Sequence, residues 1–107
     1  MTDPNEAITY IIKNSEAHAQ AKGNRVYIEQ YRKTVKAQLM AQSTAKTVSE
    51  RETDAYGHAD YAALLEGLKE AVIQEEKLKF LLIAAQLRVD VWRTNQANNR
   101  KQDNAAR

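Results

Sequence analysis

Between Leu64 and Trp92 the residues Leu64, Leu68, Ala71, Glu75, Leu78, Leu82, Ala85, Val89 and Trp92 recur at alternating spacings of three and four. On a helix these positions form one seam of about four heptads, the pattern of a helix packed lengthwise against another. In the second half of the stretch a further stripe appears, Phe80, Ile83, Leu87 and Val91. From Leu78 to Trp92 the helix is therefore apolar on more than one side, which a single partner helix cannot cover. A chain built on this seam has to pack long helices side by side.

The remainder of the 107 residues agrees with that constraint. Three glycines, one proline and few β-branched runs leave little to interrupt helices. The length fits one small domain, residues 1–107. Much of the 43% hydrophobic content is alanine, so the bulky core is modest and association is a way to complete it. The absence of cysteine excludes a disulfide scaffold, a thiolate metal site and a cysteine nucleophile. No apolar run approaches the roughly 18 residues of a membrane helix. The start, Met1-Thr2-Asp3-Pro4-Asn5-Glu6, lacks a signal peptide's basic end and apolar core. A soluble, intracellular protein is expected.

Asp3-Pro4-Asn5-Glu6 is a helix start, with Asp3 as cap, Pro4 in the first helical position and Glu6 reaching back to the cap. Ile8, Ile11, Ile12, Ser15 and Ala19 follow as a weak apolar stripe. Gly23 either ends this helix or lies within it, and the renewed spacing of Val26, Ile28, Tyr31, Val35 and Leu39 favours one helix over 4–42, with a kink allowed at Gly23. Thr47-Val48-Ser49-Glu50-Arg51-Glu52 holds two overlapping capping boxes and predicts a short helix over 48–56, stopped by Gly57. Asp60 or the residues just before it open a long helix over 59–95, with Asp60 as its cap. The basic tail 96–107, rich in Asn and Gln and without an apolar stripe, is expected to fray.

Charge alternates along the chain. Residues 1–21 are acidic, 22–49 basic, 50–76 acidic and 77–107 basic, within a net charge of +2. Folding at the short helix sets basic 22–46 beside acidic 60–76, so the bands match in an antiparallel register. The expected fold is all-α: a long antiparallel helical hairpin with a short helical tip, dimerising into a helical bundle. Leu78, Phe80, Ile83, Leu87, Val91 and Trp92 are the candidate contacts between copies.

Catalytic and metal chemistry find no support. His18 and His58 stand in no ligand spacing, and Glu75 lacks the Glu-x-x-His partner of bundle metal sites. Glu75 instead reads as a register-setting partner for a basic residue of the first helix. Gly23, Gly57 and Gly67 form no phosphate-binding loop. No catalytic residue, metal, cofactor or small-molecule substrate is expected, and the chain reads as a non-enzyme.

The cations carry the functional signal. Arg25, Arg32, Lys33 and Lys36 are interleaved with Tyr27 and Tyr31, and Arg88, Arg93, Arg100 and Lys101 surround Trp92. Cations that neutralise phosphates beside aromatics that stack on bases are the minimum equipment for single-stranded nucleic acid. The alternative is that the aromatics are core residues and the cations a solvated face.

Tyr31-Arg32-Lys33-Thr34, the Thr47–Glu52 run with Ala55-Tyr56 and Tyr61, Leu64-Leu65-Glu66-Gly67-Leu68, and Val91-Trp92-Arg93-Thr94 with Asn99-Arg100 resemble small all-helical proteins of tailed phages and prophages. The resemblance spans about residues 25–100 and carries no catalytic or binding residue. It implies a place beside phage genes for DNA recombination and replication, in the cytoplasm of the bacterial host. The leading expectation is an accessory protein contacting single-stranded DNA or a DNA-bound protein. An adaptor or inhibitor directed at a host protein is the alternative, and a structural or assembly component is a third.

Overall fold

A computed structural model describes residues 3–105, and over these the chain is all-α. Its helices are α1 (Pro4–Gln42), α2 (Val48–Tyr56) and α3 (Ala59–Ala105). Within Gln20–Glu75 the stretches of α1 and α3 run antiparallel as a helical hairpin, and α2 is its short helical tip. The chain divides into two compact units: the described residues up to Ala19 with those from Glu76 onward, and Gln20–Glu75. Each unit takes its own stretch of α1 and of α3.

The helix ends follow from local chemistry. Asp3 Oδ1 accepts the Asn5 N–H at 2.9 Å, and the Asp3 carbonyl accepts that of Glu6 at 3.1 Å, so two of the otherwise unpaired first amides of α1 are satisfied. Thr47 caps α2, its Oγ1 accepting the Glu50 N–H at 3.1 Å. Gly23 lies inside a continuous α1, and no described glycine has a positive φ. Gly57 does end α2, but in right-handed geometry, φ −86° and ψ −2°, with its N–H on the Thr53 carbonyl. The turn before α2 is tied to that helix from both sides. Ser43 Oγ donates to Asp54 at 2.6 Å, and Arg51 Nε donates to the Ala45 carbonyl at 2.8 Å.

The seam of α3 packs as its spacing requires. Every seam position from Leu64 to Val89 is buried or half-buried, and only Trp92, at its end, is exposed. In the Gln20–Glu75 unit the core is Leu39, Ala55 and Tyr61, with Val35 and Met40 against them. In the other unit it is Ala7, Ala85 and Val89, with Tyr10 and Ile11. Both cores are thin; among the described residues no large side chain is fully buried.

Three expectations are corrected. The expected stripe of α1 is rotated: Ile8, Ile12, Ser15 and Ala19 are exposed, whereas Ala7, Ile11, His18, Ala21 and Arg25 lie on the packed side. Ala7 packs against Ala85 and Val89 of α3, and a small residue on that face suits close helix packing better than Ile8 or Ile12 would. The helix expected to end near Asn95 continues to Ala105, so the tail is helical through the described residues. It contains no glycine or proline, and the lack of an apolar stripe governs packing rather than helix formation. The cap of α3 is His58 rather than Asp60. The His58 Nδ1 accepts the Asp60 N–H at 3.0 Å, and its carbonyl accepts those of Tyr61 and Ala62 at 3.1 Å each.

Candidate nucleic-acid interface

Within the Gln20–Glu75 unit, three of the candidate cations converge. Arg32, Lys33 and Lys36 line one groove with Tyr56 of α2 and Tyr61 of α3. α1 supplies the cations from about one turn, so their side chains fan over neighbouring sectors of its surface. The Lys36 ammonium lies 4.8 Å from the centre of the Tyr56 ring and 2.6 Å from Glu52. Tyr56 in turn meets Tyr61 edge to face, with ring centres 5.2 Å apart. Glu52 and then Tyr56 raise the Lys36 pKa above the ordinary lysine value, so its positive charge is held firmly. Neither Arg32 nor Lys33 has a carboxylate partner among the described residues, and both are exposed. The groove therefore offers two uncommitted cations, a third shared with Glu52, and a half-exposed tyrosine ring.

Arg25 has different work. Its guanidinium donates from Nε and from a terminal nitrogen to the two oxygens of Glu75, the latter at 3.2 Å, and from the other terminal nitrogen to Glu29 at 3.0 Å. These carboxylates, Glu75 foremost, lift its pKa above the usual arginine range. Arg25 is thus committed to the helix–helix contact, as the partner that Glu75 was expected to find. Tyr27 and Tyr31 stack in parallel at 5.8 Å and are exposed, yet neither lines the groove.

The remaining candidates lie in the other unit. Arg88 shares a shallow groove with Glu6, Tyr10 and Leu81. Arg93, Arg100 and Lys101 are exposed along the last turns of α3. Of the candidate contacts between copies, Leu78 is half-buried on the seam and faces inward, while Phe80, Ile83, Leu87 and Val91 are exposed. Tyr56, Tyr61 and Glu52 were not foreseen as groove residues. Glu52 and Tyr56 come to Lys36 because α2 folds back on α1, Tyr61 joins the groove from α3, and the capping signal at Thr47 marks α2 without saying where it packs.

Among the described residues no cluster of three or more His, Asp or Glu could hold a metal ion. No described helix is long and apolar enough to cross a membrane. Comparison with protein-family models, curated proteins and solved structures finds no match to this chain.

Proposed function

We propose that this protein is a non-enzymatic accessory factor of phage DNA recombination or replication that contacts single-stranded DNA in the host cytoplasm. The phage setting rests on the sequence resemblance. The contact rests on one observation, the convergence of Arg32, Lys33 and Lys36 with Tyr56 in a single groove. Cations there neutralise a phosphate, and the exposed part of the Tyr56 ring offers a base a stacking surface that is indifferent to sequence. Single strands fit this arrangement better than duplex, because an aromatic ring reaches bases only where they are unstacked.

A fluorescence-anisotropy titration with labelled single- and double-stranded oligonucleotides tests it. The expected result is tighter binding of the single strand, weakening with salt at a log–log slope of about −0.7 per neutralised phosphate. Arg32→Gln with Lys33→Gln removes two cations that hold no ion pair among the described residues, so affinity and slope fall while the melting temperature stays. Absence of binding at low salt overturns the proposal and leaves a protein partner as the reading to pursue.

A further inference from the structure

In the unit that joins the start of α1 to the second half of α3, the outer face of α3 is unoccupied. Phe80 is 60% exposed, Ile83 42%, Leu87 57% and Val91 55%. Their spacing aligns them in one stripe opposite the seam residues Leu82, Ala85 and Val89, so α1 cannot cover them. We infer that this stripe is the contact to a second copy of the chain, set antiparallel about a two-fold axis near its middle.

Area favours a second copy. Together the four exposures amount to about two fully exposed large side chains, on the order of 400 Å² of apolar surface. A standard interface buries about 800 Å² per partner, a little over half of it apolar, so the stripe supplies what one side of a dimer needs. Need points the same way. The unit's own core consists of Ala7, Ala85 and Val89, which is thin, and a second copy on the outer face gives α3 apolar burial on both of its sides. A single stripe is also suited to an isologous contact, in which both copies use the same surface. Charge selects the direction. Parallel pairing would set Lys101, which falls on the stripe's side of α3, against its own copy, whereas antiparallel pairing keeps the two at opposite ends.

This inference does not depend on DNA binding. Sedimentation equilibrium should give the 107-residue chain twice its 12.1 kDa mass at micromolar concentration. Phe80→Glu with Leu87→Glu should return it to the single mass with its helical circular dichroism kept. Because the chain has no cysteine, disulfide trapping gives a test that does not need that variant to fold. Ala84→Cys, near the proposed axis, should cross-link in high yield, since copies of Ala84 approach within roughly the 7 Å that a disulfide spans. Asn98→Cys should not, because at about 1.5 Å per residue its two copies stand tens of ångströms apart. A wild-type chain that sediments as a monomer overturns the inference, and so does cross-linking at Asn98 with none at Ala84.

Discussion

Arg25 and Glu75 meet side-on across α1 and α3, the guanidinium giving two hydrogen bonds to the carboxylate on the packed face of the pair. Two heptads further along, Leu39 of α1 meets Tyr61 of α3, the same step on both helices. The ion pair and the apolar contact thus share one register. A slip of a single residue would part both, and Glu75, only 8% exposed, would be left facing apolar side chains.

Breaking that pair from one side should harm the fold more than removing it whole. Glu75→Leu leaves the guanidinium of Arg25 against an apolar neighbour, and Arg25→Met leaves the carboxylate buried. The double variant Arg25→Met, Glu75→Leu should melt above both singles, the sign of coupling in a double-mutant cycle followed by circular dichroism.

Leu39 carries much of the packing beside α2, where it meets Ala55, which is fully buried, and Tyr61. Leu39→Ala should cost about 2–5 kcal/mol in urea unfolding. Ala55→Leu should cost about 1–3 kcal/mol for the opposite reason, because no space exists for the added methyl groups. Ile12→Ala, at a side chain 70% exposed, should change stability little, and a large loss there would contradict the packed face assigned to α1.

His18 sits half-buried on α1 with its Nε2 enclosed and without a hydrogen-bond partner. Leaving a polar atom in that state costs about 1–3 kcal/mol, so His18→Leu should raise the melting temperature. A lowered melting temperature would show that the nitrogen is satisfied in solution.

The ion pair of Lys36 should respond to alkali rather than acid on the lysine side. Its folded pKa is raised above the ordinary 10.5, chiefly by Glu52. The stabilisation this shift brings is complete below 10.5 and is lost as pH climbs through the raised value. The gap in melting temperature between the wild type and Lys36→Met should therefore be flat from neutral pH to about 10.5 and narrow above it. Because Lys36 is near the surface, salt should shrink the gap at every pH.

The seam from Leu64 to Val89, the extents of α1 and α2 and the cap at Thr47 were all legible in the order of residues. Each depends on a helical period or on a hydrogen bond between residues three apart, and both are local properties. The outward stripe of Phe80, Ile83, Leu87 and Val91 was legible for the same reason: a helix that turns Leu82 and Val89 inward must turn these outward. Tertiary structure alone decided which face of α1 packs, because the choice between Ile8 with Ile12 and Ala7 with Ile11 depends on how closely α3 can approach. It also chose Arg25 among the cations as the partner of Glu75, and it drew Lys36 to Glu52 and Tyr56 by folding α2 back. Those outcomes depend on shape and charge meeting between residues from 16 to 50 positions apart, which no helical period encodes.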